Sequence, residues 1–125
     1  GMALGLDIVG WSDVKLIGIS IARPQERGKK VIVDFANELA KNYGINKDYT
    51  ESIIFIDNYV GNGYDQLSSK EERHFIHRVN KNRGLLVDET YSGKAMYGMM
   101  DFIKKQNLKG NIMFWLTGGP LNAKI

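Results

Sequence analysis

Two apolar, β-branched runs, "VKLIGISIA" at 14–22 and "SIIFID" at 52–57, bracket a helical pattern that opens at Pro24 and stops at Gly44. No feature of the chain constrains its fold more. A strand that reaches its neighbour through a helix of this length returns parallel to it, because antiparallel neighbours need only a tight turn. Such crossovers are right-handed and place helices over the sheet. Within the connecting segment Val31, Phe35, Leu39 and Tyr43 recur every four residues and predict its buried stripe. Pro24 suits the first turn of that helix and Gly44 its end.

The pattern continues downstream. "SSKEERHFIHRVNKNRG" opens on serines fit to cap a helix, carries Glu71 and Glu72 early and basic residues late, and ends at Gly84. "LLVDE" is short and ambiguous. "SGKAMYGMMDFIKKQ" aligns Ala95, Met96, Met99, Met100 and Ile103 on one helical stripe, and "NIMFWL" at 111–116 predicts a third strand. "GMALGLDIVGW" resembles the end of a helix. An α/β chain with a parallel sheet follows.

Composition removes several classes of function. A chain of 125 residues, 43% apolar, supports one core, so residues 1–125 are expected to form a single domain. "IIFI" and "IMFWL" are far shorter than the roughly 20 residues of a membrane-spanning helix. With no signal-peptide layout at the N-terminus, the expectation is a cytoplasmic protein without membrane association. The absence of cysteine excludes disulfides and thiolate-bound zinc. A net charge of +3, with Lys and Arg interspersed among Asp and Glu, argues against nucleic-acid binding.

Ligands of parallel sheets gather at the carboxyl ends of strands. That rule directs attention to "ARPQ", "NYVGNGY" and "TGGP", and to the "TYSGK" corner where a helix begins. A polar helix start of this kind can hold a small anion. Taken singly, each motif has a plain structural reading. "GNGY" lacks the third glycine of a dinucleotide fingerprint, since Gln66 occupies that position. His74 and His77 lie three apart with no third ligand at a recognisable spacing, so no metal site is expected. The charge run at 70–83 reads as a solvent face over Phe75 and Val79, and Met96, Met99 and Met100 as core.

In order and together, "DNYVGNGYDQLSSKEE", "GLLVDETYSGKAMYGMMDFI" and "IMFWLTGGP" resemble the C-terminal half of the pyridoxal-phosphate enzymes that include D-cysteine desulfhydrase and 1-aminocyclopropane-1-carboxylate deaminase, of fold type II. The resemblance runs from Gly1 to Ala123. It implies a three-layer αβα architecture with a mainly parallel sheet, part of a large cofactor-binding domain. It implies that Tyr91 stands over the cofactor ring near the substrate and that Tyr64 is a second tyrosine able to approach the substrate. Thr117, with Gly118 beside it, matches the position that contacts the pyridine nitrogen in many members of the wider group.

Ser92 also falls at the cofactor, where the deaminases carry a glutamate paired with that nitrogen. A hydroxyl does not stabilise a pyridinium as a carboxylate does, which weakens the ring as an electron sink. The expectation is therefore a desulfhydrase-like β-elimination from a small amino acid, giving pyruvate, ammonia and sulfide, with deamination as the alternative. The Schiff-base lysine of these enzymes lies in their N-terminal half, and no lysine here has its context; Lys94 belongs to the "YSGK" corner. The chain alone is thus expected to lack turnover and, with apolar faces uncovered, to form a dimer or higher homo-oligomer. A non-catalytic binding or oligomerisation module is a further alternative. A nucleotide-binding βαβ domain is another.

Overall fold

A computed structural model describes residues 1–63 and 69–118, apart from the side chain of Arg83. Its compact units are Gly1–Asp57 and the chain from Asn58 onward.

The first unit holds helix α1 (Met2–Ile8), strand β1 (Leu16–Ile19), helix α2 (Gln25–Asn42) and strand β2 (Ile53–Ile56). The strands pair in parallel, with Leu16 opposite Ile53 and Ile19 opposite Ile56, as the two β-branched runs predict. β1 is shorter than its apolar run because of Ser20. Its N–H still bonds the Ile56 carbonyl at 2.8 Å, but its hydroxyl accepts from the Arg23 N–H at 2.9 Å and donates to the Arg23 carbonyl at 2.7 Å. That side-chain turn ends the strand. Pro24 takes the cap position of α2, and the Gln25 N–H donates to the Asp57 carboxylate at 2.7 Å, so the residue after β2 caps the helix before it.

The buried stripe of α2 is Val33, Ala36 and Ala40, whereas Phe35 is 69% and Tyr43 65% exposed, which corrects the four-residue reading. Four residues overshoot a 3.6-residue turn, so such a series drifts around the helix, and alanines let α2 lie closer to its neighbours. Gly28 makes one such approach: a Cβ there would stand 2.4 Å from the Phe55 ring. The core gathers Leu4, Val33, Ala36, Ala40, Tyr49 and Ile53. Tyr49 is fully buried; its phenol donates to Asp7 at 3.0 Å and its N–H to the Asn37 side chain at 3.0 Å.

The second unit holds helices α3 (Lys70–Arg83) and α4 (Ser92–Lys105), packed around Ile76, Val87 and Met96. Ser69 caps α3 by accepting from the Glu72 N–H at 3.1 Å, and Gly84 closes it with φ +62°, both as the sequence predicts. "LLVDE" forms no strand. Val87 instead bonds the Asn80 side chain in both directions, its N–H at 2.9 Å and its carbonyl at 3.0 Å, as a neighbouring strand would. "NIMFWL" is not the third strand that its composition predicts. Among the described residues the sheet has two strands, and Met113 is 80% and Trp115 63% exposed while Phe114 packs on the second core. A strand exists only through the partner that takes its hydrogen bonds, and β-propensity does not supply one. No described helix is long and apolar enough to cross a membrane.

Candidate functional site

The "DETYSGK" corner starts α4, and its amides already have an anion. Asp88 is 1% exposed. Its Oδ1 accepts from the N–H groups of Thr90 at 2.9 Å and Tyr91 at 2.5 Å; its Oδ2 accepts from the Ser92 N–H at 3.0 Å and the Ser92 hydroxyl at 2.6 Å. The Asp88 N–H returns a bond to Ser92 Oγ at 3.0 Å, and the Asp88 carbonyl takes the Gly93 N–H at 2.8 Å. One aspartate thus takes four successive amides, from Thr90 to Gly93, at the entrance of α4. The small anion foreseen at this corner is the chain's own carboxylate. Burial alone raises the Asp88 pKa, but the bonds from Ser92, Tyr91 and Thr90 outweigh it and hold the carboxyl below its ordinary value.

Gly93 is what lets this corner seat against α3. A Cβ there would lie 2.4 Å from the Asp88 carbonyl oxygen and 2.8 Å from Ile76.

The next residue, Lys94, is also 1% exposed and is directed at the "YVGNG" loop. Its ammonium donates to the Val60 carbonyl at 3.1 Å and the Gly63 carbonyl at 3.2 Å. The loop turns on two left-handed glycines, Gly61 at φ +62° and Gly63 at φ +116°. Tyr59 at its start donates to Asp101 at 2.8 Å, two turns along α4, and its ring meets Tyr97 edge-on at 6.4 Å. Burial, with the Asp101 carboxylate beside it, pushes the Tyr59 phenol up to about 12. Asp101 is held down first by Lys105 at 2.6 Å and then by Tyr59. Lys94 of "YSGKAM" thus grips the Val60–Gly63 turn of the "YVGNG" loop.

The sequence-derived site residues are placed as follows. Tyr91 stands at the start of α4 with 45% of its surface exposed. Ser92 is buried beneath it, its one proton given to Asp88. Thr117 is exposed in the segment after α4, and Gly118 follows it with φ +143°. Tyr64 lies outside the described residues. His74 and His77 are exposed on α3, and no three His, Asp or Glu residues converge as a metal site among the described residues. Sequence reasoning missed Asp88, Tyr59 and Asp101. An Asx residue four positions before a helix-entrance serine was the available signal for the first.

Comparison with known proteins adds the chemistry that geometry alone lacks. A Pyrococcus abyssi protein provisionally named a 1-aminocyclopropane-1-carboxylate deaminase is 34% identical over 121 residues. A second, from Pyrococcus horikoshii, with the same provisional name, is 29% identical over 119 residues. The D-cysteine desulfhydrase of Yersinia pestis is 31% identical over 121 residues. The chain resembles 1-aminocyclopropane-1-carboxylate deaminases and D-cysteine desulfhydrases. These alignments cover 95% of this chain and 35–36% of each relative, so the chain spans about a third of their length. No family model matches it.

Among the described residues the entrance of α4 offers no phosphate cradle, because the amides of Thr90, Tyr91 and Ser92 donate to the Asp88 carboxylate and that of Gly93 to the Asp88 carbonyl. Tyr91 and Thr117 present an exposed phenol and an exposed hydroxyl, groups chemically suited to the edge of a pyridoxal ring.

Proposed function

We propose that this chain is the ring-side, C-terminal portion of a pyridoxal-phosphate-dependent lyase acting on a small amino acid. In the complete enzyme the reaction is a D-cysteine desulfhydrase-like β-elimination that releases pyruvate, ammonia and sulfide. The alignment of 95% of this chain with about a third of each of the two named enzyme types carries this reading. In it residues 1–125 form part of a large three-layer αβα domain.

Bound pyridoxal phosphate supplies the electron sink for the α-carbon. This chain's residues shape its surroundings. Tyr91 would stand against the ring with its phenol toward the substrate, Tyr64 would supply the second phenol, and Thr117 with Gly118 would border the pyridine edge. Ser92 puts no carboxylate where the resemblance places one in deaminases, and its hydroxyl proton is given to Asp88. A ring bordered by that hydroxyl would be a weaker sink, adequate for loss of a β-thiol after proton removal and poorly suited to ring opening. No lysine of this chain has the sequence context of the Schiff-base lysine in the enzymes it resembles, so the chain alone is expected to lack turnover. The exposed apolar side chains of the first unit, among them Trp11 and Phe35, favour a homodimer.

A second reading, a deaminase of the 1-aminocyclopropane-1-carboxylate type, is favoured by the names of the two Pyrococcus relatives. A chimera separates the two. The aligned third of the Yersinia desulfhydrase is replaced by this chain, and sulfide from D-cysteine is measured beside ammonia from 1-aminocyclopropane-1-carboxylate. Sulfide release is expected; ammonia from the cyclopropane substrate without sulfide selects the second reading, and a folded, cofactor-loaded chimera inactive on both refutes the assignment.

A further inference from the structure

We infer that Lys94 is a positioning residue: its buried ammonium sets the Val60–Gly63 loop, and it takes no part in amine chemistry. The placement of the charge is the argument. A fully buried lysine must have partners for its ammonium, and the first turn of a helix is where the dipole least favours a cation. Lys94 nevertheless sits at the third residue of α4, 1% exposed. Its ammonium reaches the carbonyls of Val60 and Gly63 across 34 and 31 residues of sequence.

The loop is built to receive it. With φ +62° at Gly61 and +116° at Gly63, the backbone adopts a shape open chiefly to glycine, and both flanking carbonyls turn toward one point. The Gly63 N–H closes the same turn on the Val60 carbonyl at 3.2 Å. At the other end of the contact, Tyr59 on Asp101 fixes where the loop begins. α4 therefore holds the loop at two heights, and the ammonium is its inner bolt. An amine engaged by two carbonyls and shut from solvent is a poor nucleophile, so Lys94 is unsuited to attack a cofactor aldehyde. Only the placing of Tyr64, which follows this loop, near a substrate rests on the proposed function; the clamp stands without it.

Residue-resolved amide exchange on this chain tests the inference without cofactor or substrate, so its failure is distinct from failure of the assignment. Lys94→Met should speed exchange at the Gly63 amide at least tenfold while Ser20 and Val87 change less than twofold. Lys94→Arg, which keeps charge and donors, should recover part of that protection. An unchanged Gly63 amide overturns the inference, and so does equal loss of protection at Gly63, Ser20 and Val87, which makes Lys94 an ordinary core residue. A second measurement needs no variant. Under limiting acylation of the native chain, Lys94 should react at least tenfold more slowly than Lys30 and Lys105, whose side chains are 74% and 67% exposed. Labelling of Lys94 at their rate refutes the inference.

Discussion

Each of the two units of the chain has a core of a different kind. In Gly1–Asp57 the buried residues are almost all apolar, with Ser20 the buried polar exception among the described residues. From Asn58 onward the described core has Ile76, Val87 and Met96, and beside them the buried Glu72, Asn80, Asp88, Ser92 and Lys94. Apolar burial stabilises without regard to direction, whereas a buried hydrogen bond fixes atoms in place and is costly when broken. The first unit is built for cohesion and the second for position. The motifs that carry the family resemblance fall in the positioned unit.

The largest expected effect comes from breaking the close approach in the second unit. Gly93→Ala sets a methyl against the Asp88 carbonyl and Ile76, and should abolish cooperative unfolding of that unit, read as loss of the Val87 and Gly93 amide protection. Ile53→Ala tests the apolar unit. It should cost about 2–5 kcal/mol in denaturant unfolding, the range for a fully buried truncation.

Asp88→Asn, a change of charge with little change of shape, should cost about 1–3 kcal/mol at neutral pH. The wild-type corner carries a pH signature of known sign. The Asp88 pKa is lower in the folded chain than its ordinary 3.8, so its contribution is complete above that value and is lost as pH falls through the folded value. Acid titration of Val87 and Ser92 amide protection should show this loss, and Asp88→Asn should flatten it. Lys30→Met, at the smallest end, removes an exposed i,i+4 pair with Asp34 and should leave the melting temperature unchanged within error. If the polar substitutions prove as mild as this one, the contrast between the units fails.

The apolar unit was also the more legible in sequence. β1, β2 and the helix between them follow from runs of Ile and Val and from Pro24 and Gly44, which are local signals. The third strand did not follow, because "NIMFWL" carries the propensity and lacks a ladder partner among the described residues. Within the site, the sequence pointed to the "TYSGK" corner through its polar residues at a helix start. Only the spacing of Asp88 four positions before Ser92 hinted that an aspartate fills that corner, and nothing signalled that Lys94 spans more than thirty residues to bind backbone carbonyls. Contacts to main-chain atoms leave no pattern in side-chain identity at the receiving end, except the glycines that let the loop turn.

The central claim is that this chain borders a pyridoxal cofactor without providing its covalent anchor. Incubation with pyridoxal phosphate, borohydride reduction and peptide mapping test it most directly. The account predicts modification scattered over exposed lysines and none at Lys94. One lysine modified stoichiometrically, with a visible absorption band that disappears on reduction, would contradict it and place the anchor within these residues.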